Sequence, residues 1–492
     1  MNSSEDKDLG VKGWLLGKKP KVKTQESPTG QAVFDKHRIA VLPFFNMSPD
    51  PNDEYFADGM TEEVISIVSG ISGLKVISRT SIMRYKKTEK TVKEIGRELE
   101  VGSVLEGSFR KAGNRIRVTT QLINVADDEH LWAQNYDRNL DDVFEVQSDV
   151  AKQVAEALRV RILSSEKERM ERKPTENTFA YTLYLRGRSL WNKRDVPDLK
   201  KAMEYFEQAV REDPSFALGY VGQADCAVLL GGARRIDLEE NLAKARAMAE
   251  KALQLSPALA EAHTNLGLVH YYEYNLHGAE EEFRRAIELK PSYATVHQWY
   301  FVVLSAELSW DEALREIEKA VELDPISGVI LHHLGLYYLW RRDFGKAVEK
   351  FRIAVELGFE GAHSGLFTAY GMMKMYDQME MEVEAFVRRY QDYAPRIRTL
   401  LNISKAYFKG DKEIVRRLLP ELEAYPKETG ALATDIACFH FFLGDVDEGF
   451  EWLERAHSKK ESDLLNIQYD WFLDGIRTDP RYLDLLKRLG LG

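Results

Sequence analysis

The stretch FRRAIELKPSYATV, residues 283–296, decides the fold because the same phrase returns along the chain. It occurs as AEKALQLSPALAEA at 249–262, as IEKAVELDPISGVI at 317–330 and, in weaker form, as FRIAVELGFEGAHS at 351–364. Pro257, Pro291 and Pro325 are therefore 34 residues apart. A 34-residue period of two apolar helical stretches indicates a solenoid of helical hairpins, a class that usually binds other chains and seldom does chemistry.

Composition excludes several classes of protein. The net charge of the 492 residues is −11, and −10 of it falls on residues 173–492, so we expect no nucleic-acid partner for the repeats. Two distant cysteines, Cys226 and Cys438, form no disulfide or zinc pattern, which fits a reducing compartment. The longest N-terminal apolar run, GWLLG, is too short for a membrane span or a signal peptide, and we expect a cytoplasmic protein.

The pattern divides the chain into three parts. Residues 1–37 are polar, lack periodicity and carry a basic run around Lys18–Lys23, which indicates a flexible linker. Residues 38–172 alternate strand and helix patterns, and residues 175–492 are helical throughout, ending in a predicted capping helix. The predicted fold class is α+β multidomain: a small mixed α/β domain followed by an all-α superhelical solenoid.

The α/β part begins with the strand pattern RIAVLPFF at 38–45 and a helix pattern from about Tyr55. LKVISR at 74–79 predicts a second strand, and SVLEGSFRKAGNRIRVTTQLINV at 103–125 predicts a hairpin that turns at AGN. Residues 140–173 read as one long amphipathic helix. Inward-facing positions on the strands are predicted at Val104, Ile116, Val118, Leu122 and Trp132.

The 34-residue unit resembles the tetratricopeptide repeat (TPR). The resemblance is clearest at HTNLGLVHYYEYNLHGAEEEFRRAIELKP, 263–291, and LHHLGLYYLWRRDFGKAVEKFRIAVEL, 331–357. The chain departs from the pattern at Phe301, where glycine is usual, and at Phe359, where proline is usual. The resemblance implies a superhelix whose first helices line a concave face.

The α/β part resembles the TolB amino-terminal-like (FlgO-like) domain that precedes TPR arrays in bacteria and archaea. The resemblance rests on YFADGMTEE (55–63), VLEGSFRKAGNRIRVTTQLI (104–123) and HLWAQNYDR (130–138). Such proteins often carry a cyclase, winged-helix or kinase output domain upstream. The 37 residues here are too few for one, so we expect an output in a separate partner chain or an array that has lost it.

No motif for catalysis or phosphate binding is present: the sequence has no GxxxxGK[ST], GxGxxG, HExxH or GxSxG. His263, His270 and His277 are seven residues apart, about 10 Å along a helix, which is too far for one metal ion. A carboxylate cluster from Asp53 to Glu63 is explained by electrostatics at a helix start. We therefore expect a protein that is not an enzyme and needs no cofactor or metal.

The TPR register places candidate partner-binding residues on the concave face. Aromatic, amide and imidazole groups there suit an extended peptide, and the acidic repeats favour a neutral or basic one. No Lys/Arg/Asn set for clamping a C-terminal carboxylate is evident. The candidates are Asn265, Leu268, Tyr271, Tyr272, Gln298, Trp299, Val302, His332, His333, Leu336 and Trp340.

The sequence supports three hypotheses about function. The first is a non-enzymatic adaptor that binds protein partners through the TPR groove in signalling or complex assembly. The second is a regulatory part of a nucleotide-cyclase system, which could sense a ligand through the α/β domain. The third is a part of a transcription-control system, for which no DNA-binding element is evident in this chain.

Overall fold

The computed structural model describes residues 25–26, 32–233, 237–389, 394–424 and 433–492. Most of the segment interpreted as a linker, including its basic run, lies outside the described residues. A short antiparallel pair, Gln25–Glu26 (β1) with Ala32–Val33 (β2), is described within it. No helix in these ranges is long and apolar enough to cross a bilayer.

The α/β domain contains a six-stranded mixed sheet. The strands are Arg38–Val41 (β3), Phe45–Asn46 (β4), Lys75–Val76 (β5), Ser103–Ala112 (β6), Arg115–Asn124 (β7) and His130–Asn139 (β8). The strand order is β5-β3-β6-β7-β8, and β4 pairs with β6 beyond the end of β3. The pairs of β3 with β5 and β6 are parallel, whereas β6, β7 and β8 form an antiparallel meander.

Helices pack on this sheet and bury both of its faces. They are Glu54–Ser69 (α1), Arg79–Ile82 (α2), Val92–Leu99 (α3), Val143–Ala157 (α4) and Ser164–Glu171 (α5). The predicted inward positions Val104, Ile116, Val118 and Leu122 are at most 2% exposed. The last three lie in one core with residues of α1 and α4, whereas Val104 lies in a second core with residues of α3.

The long helix predicted over residues 140–173 is wrong, because the structure divides it into α4 and α5. Arg159 has a positive φ of 56°, and the Val160 amide donates to the Ala155 carbonyl, which ends α4. The side chains of Val160 and Ile162 then pack against the core. Burial of these two β-branched residues gives a physical reason for the break that periodicity alone does not show.

The rest of the described chain is a helical solenoid, as the period predicts. Pairs of antiparallel helices follow one another up to residue 458, and α22 ends the chain. The helices are Thr178–Trp191 (α6), Val196–Glu212 (α7), Ala217–Val228 (α8), Leu238–Leu255 (α9), Ala260–Tyr272 (α10), Leu276–Leu289 (α11), Ala294–Ala306 (α12), Trp310–Leu323 (α13), Gly328–Trp340 (α14), Phe344–Glu356 (α15), Ala362–Met372 (α16), Tyr376–Arg389 (α17), Ala394–Lys409 (α18), Lys412–Glu423 (α19), Ala433–Leu443 (α20), Val446–Ser458 (α21) and Pro480–Arg488 (α22).

Several hairpins close where a large ring meets a small residue. Phe283 is fully buried, and a Cβ at Gly267 would lie 2.5 Å from its ring. Phe351 is buried in the same way against Gly335 and Gly365. These positions are core, as the pattern of small residues around an apolar one indicates.

A His–Glu pair, nineteen residues apart, ties the first helix to the second in several repeats. His263 Nδ1 lies 2.6 Å from Glu282 Oε2, and His297 Nδ1 lies 2.6 Å from Glu316 Oε2. His363 and Glu382 form the same pair at 2.5 Å. These histidines therefore hold hairpins together.

The turns of the solenoid form two edges that bind different parts of the chain. We call the turns from a second helix to the next first helix, near residues 255–260, 289–294, 323–328 and 357–361, the inter-repeat edge. The turns within a hairpin, near residues 273–276, 306–310 and 340–344, are the intra-repeat edge. The α/β domain packs on the inter-repeat edge, and the C-terminal segment, residues 461–476, packs on the intra-repeat edge.

Candidate functional site

A row of aromatic rings crosses three successive first helices. The ring centroids of Tyr271 on α10 and Trp299 on α12 are 6.4 Å apart, and those of Trp299 and His333 on α14 are also 6.4 Å apart. Tyr271 is buried, whereas Trp299 and His333 are half-buried. The structure thus places three of the predicted site residues in one row of neighbouring rings.

Six of the eleven predicted site residues are buried, so a partner reaches them only if neighbouring groups move. Asn265 illustrates the cause, because its Nδ2 donates to Asp225 Oδ1 at 2.8 Å and is used within the protein. The six, each at most 8% exposed, are Asn265, Leu268, Tyr271, Tyr272, Gln298 and Val302.

The five half-buried candidates are Trp299, His332, His333, Leu336 and Trp340. The His332 ring packs against Phe351 and Phe359, with centroids 5.3 and 5.2 Å away. Burial, with a smaller contribution from the neighbouring His333, lowers the pKa of His332 to about 3. His332 is therefore neutral at physiological pH and offers a partner an uncharged ring.

The C-terminal segment contacts one of the predicted site residues, Trp340. The Tyr469 ring lies 4.9 Å from that of Trp340 and 5.2 Å from that of Trp310. Gln468 Nε2 donates to the Ala306 carbonyl at 3.2 Å, and the Tyr274 hydroxyl donates to the Glu461 carbonyl at 2.8 Å. The C-terminal segment therefore packs along the intra-repeat edge.

A buried ion network joins α1 to the first helices of the solenoid. Arg188 on α6 donates through Nε to Glu62 Oε1 at 2.7 Å and through Nη1 to Asp225 Oδ2 at 2.8 Å. Asn192 Nδ2 and Arg79 Nε each lie 3.1 Å from Glu62 Oε2. The network therefore spans α1, α2, α6 and α8.

Charges in this network shift the pKa values of its carboxyl groups. Burial raises the pKa of Glu62, but the guanidinium groups of Arg188 and Arg79 outweigh it and hold the pKa at about 2. Burial raises the pKa of Asp225, although Arg188 opposes the shift. Glu62 is therefore ionised and paired, as a stable buried ion network requires.

The interpretation of Glu62 and Glu63 as helix-start charges is wrong. Helix α1 begins at Glu54, so both carboxylates lie in its third turn and face the solenoid. The available signal in the sequence was two consecutive glutamates inside an apolar helical stretch, TEEVISIV. Buried charges in such a place require partners from elsewhere in the chain.

A cavity of about 430 Å³ lies beside the ion network, between the α/β domain and the inter-repeat edge. Helices α1, α4 and α5 form one side, and the turns near residues 215, 256 and 290 form the other. Its apolar walls include Phe144, Met170 and Leu259, and Glu63 and Lys290 add charges. No predicted site residue lines it.

Comparisons with known proteins match both parts of the chain. The second domain of HilA/YgeH-like transcriptional regulators matches residues 35–153, and the tetratricopeptide repeat matches residues 260–293. The TolB-like resemblance stays a prediction. Residues 35–153 are therefore similar to the second domain of HilA/YgeH-like regulators, and a region similar to a TPR repeat follows at residues 260–293.

One curated relative is the "Putative adenylate cyclase 3" of Rhizobium meliloti (strain 1021), which is 37% identical over 250 residues. The match covers 50% of this chain and 42% of the relative, so the chain spans less than half of the relative's length.

Solved structures with similar helical arrays include pilF of Pseudomonas aeruginosa, with 22% identity and a TM-score of 0.33. That match covers 43% of this chain and 96% of pilF. YrrB, described as a TPR protein with an unusual peptide-binding site, has 23% identity and a TM-score of 0.26, and the match covers 40% of this chain and 92% of YrrB.

Proposed function

We propose that this chain is a protein-interaction adaptor whose first helices α12 and α14 bind an extended segment of a partner polypeptide. The observation that carries the proposal is the row of rings from Tyr271 through Trp299 to His333, which continues from one repeat to the next. Half-buried aromatic side chains give a peptide flat apolar contact with little loss of side-chain entropy. The acidic repeats favour a neutral or basic segment.

In this proposal residues 38–172 form a regulatory unit, and residues 175–492 form the unit that binds the partner. Both cysteines, Cys226 and Cys438, are buried thiols without a disulfide, and burial raises the pKa of each. Such thiols fit the reducing cytoplasm, where we place the protein.

A peptide-display selection on the intact chain tests the proposal. Peptides recovered on the wild-type protein are measured by calorimetry against Trp299→Ala and against Met381→Ala as the matched control. Met381 is 74% exposed and lies on a second helix, α17, away from the row. We expect Trp299→Ala to weaken binding by about tenfold or more, as loss of a central aromatic contact does. Equal affinity for wild type and Trp299→Ala would place the binding surface elsewhere.

A second candidate function is a regulatory part of a nucleotide-cyclase or transcription-control system. It is favoured by the HilA/YgeH-like match at residues 35–153 and by the relative named as a putative adenylate cyclase. The docking of the α/β domain across several inter-repeat turns provides a route by which either part could influence the other. A thermal-shift measurement with ATP and cyclic AMP tests direct nucleotide sensing, and an unchanged Tm with both would contradict it.

A further inference from the structure

The cavity between the α/β domain and the inter-repeat edge contains one buried carboxylate without a partner. Glu63 is 8% exposed and lines the cavity. Among the described residues, no hydrogen bond or ion pair within 4 Å involves its side chain. A buried carboxylate in that state is costly, so the fold holds an acceptor that nothing within the described chain uses.

The other carboxylates of the cavity have partners. Glu261 pairs with Lys290, whose Nζ also donates to Ser66 Oγ at 2.8 Å. Glu166 accepts from the backbone amides of Ser72 and Leu163 at 3.0 and 2.8 Å. Glu63 therefore differs from its neighbours, and the ammonium group of Lys290 is already engaged.

We propose that this cavity binds a small molecule that carries a protonated amine, with Glu63 as the counter-ion. An ammonium group is the donor that a lone buried carboxylate accommodates best, because it supplies both charge and hydrogen bonds. The volume of about 430 Å³ lies within the range of small-molecule sites, and Phe144, Met170 and Leu259 give the ligand apolar walls.

A second feature favours ligands that also carry an acidic group. Arg169 on α5 lines the same cavity, is half-buried and has no ion pair among the described residues. Its guanidinium group suits a carboxylate or phosphate. Amino acids and related zwitterions therefore form the preferred subclass of amines.

A ligand bound in this cavity would affect how the α/β domain packs against the solenoid. The cavity walls come from α1, α4 and α5 on one side and from three inter-repeat turns on the other, so a bound amine contacts both. This inference deepens the second candidate function, ligand sensing, and is independent of peptide binding at α12 and α14.

Thermal-shift and calorimetric measurements on the intact chain test the site. The probes are phenethylamine and putrescine, each beside its uncharged alcohol (2-phenylethanol and butanediol), with L-phenylalanine as the zwitterion. We expect at least one amine to raise the Tm of the wild-type protein while its alcohol does not. Glu63→Gln should weaken binding of that amine by about tenfold or more, because the amide has the shape of the carboxylate but lacks its charge.

The matched control is Glu176→Gln, which changes an 82%-exposed carboxylate of the same cavity and should alter affinity by less than about twofold. If no amine raises the Tm more than its alcohol, or if Glu63→Gln binds the amine as well as wild type, the amine site is overturned. Peptide binding by the same variants shows whether the adaptor proposal fails independently.

The pH dependence of amine binding gives a readout that a merely structural role would not move. Burial, with a smaller contribution from Glu62, raises the pKa of Glu63 to about 7. Amine affinity should therefore fall from about pH 8 to about pH 5.5 in wild type and stay flat in Glu63→Gln. The charged or titratable groups that face Glu63 are Glu62, Glu261, Lys290, Arg188, Tyr181 and Tyr184.

Discussion

The two edges of the solenoid are built from the same repeated turns but bind their neighbours by different chemistry. On the inter-repeat edge, hydrogen bonds join the α/β domain to the turns: Ser81 Oγ donates to Asp324 Oδ1 at 2.5 Å, and the Ser78 amide donates to the Leu323 carbonyl at 2.8 Å. On the intra-repeat edge, Tyr469 packs its ring against those of Trp310 and Trp340, beside the hydrogen bonds of Gln468 and Tyr274. The same repeated turns thus make a contact that depends on hydrogen bonds and charge at one edge and a contact between aromatic rings at the other.

The polar edge depends on directional contacts with the α/β domain. Arg38 Nη2 donates to the Glu322 carbonyl at 2.6 Å, and Arg84 Nη2 donates to the Leu357 carbonyl at 2.5 Å. Such a hydrogen bond adds little net stability to the folded protein, but loss of one partner leaves the other buried and unsatisfied, which costs more. We therefore expect the α/β docking to be more sensitive to single polar substitutions and to pH than the C-terminal segment.

The largest effect should come from Arg188→Leu. The substitution leaves Glu62 and Asp225 buried without their shared cation, and we expect a loss of about 3–5 kcal/mol in unfolding free energy. Denaturant unfolding measures it. The control is Arg284→Leu, which removes an ion pair with Glu280. The Arg284 side chain is 57% exposed, so its loss should lower the unfolding free energy by less than about 1 kcal/mol. Equal losses in both variants would show that the network contributes no more than a surface pair.

The next effect tests the apolar edge. Tyr469→Ala removes a ring that is 9% exposed, and we expect a loss of roughly 3 kcal/mol together with faster hydrogen exchange near Trp310 and Trp340. Tyr469→Phe keeps the ring and loses only the hydrogen bond from its hydroxyl to Asn466. We expect it to lower the unfolding free energy by about 1 kcal/mol. A loss in Tyr469→Phe as large as that in Tyr469→Ala would contradict the assignment of this contact to the ring.

The third effect concerns pH and the polar edge. In the folded protein the pKa of Glu63 is raised to about 7, so its stabilising contribution is present below about pH 4.5 and is lost as pH rises through about 7. Glu63→Gln should therefore stabilise the protein by roughly 2 kcal/mol near pH 8 and by much less near pH 5. Urea unfolding at the two pH values measures this difference, and a difference that does not change with pH would contradict the assignment.

The smallest effect is at the edge strand of the sheet. Ser292 Oγ donates to the Leu74 carbonyl at 2.9 Å and accepts from the Val76 amide at 3.3 Å, which satisfies the free side of β5. Ser292→Ala should cost about 1 kcal/mol and speed exchange of the Val76 amide. Ser458→Ala, on an exposed helix end, should change neither quantity. An unchanged Val76 exchange rate in Ser292→Ala would remove this hydroxyl from the docking contact.

The periodic part of the fold was predictable, because prolines at 34-residue spacing and small residues around Phe283 encode contacts within one repeat and between neighbours. The strand alternation of β6 and β7 was predictable for the same reason, since those contacts are local in sequence. The pairing of Glu62 with Arg188 and of Tyr469 with Trp340 was not, because each joins residues more than a hundred positions apart and leaves no periodic signal. The repeat register did not predict that Asn265 and Gln298 are buried. Asn265, for example, donates to Asp225, forty positions earlier on another first helix.

The measurement that tests the central claim most directly is hydrogen–deuterium exchange of the intact chain with and without a display-selected peptide. We predict slower exchange in α12 and α14, where Trp299 and His333 lie, and no change in the second helices α13 and α15. Protection confined to second helices or to the α/β domain, with unchanged exchange in α12 and α14, would contradict the assignment of the aromatic row as the partner-binding surface.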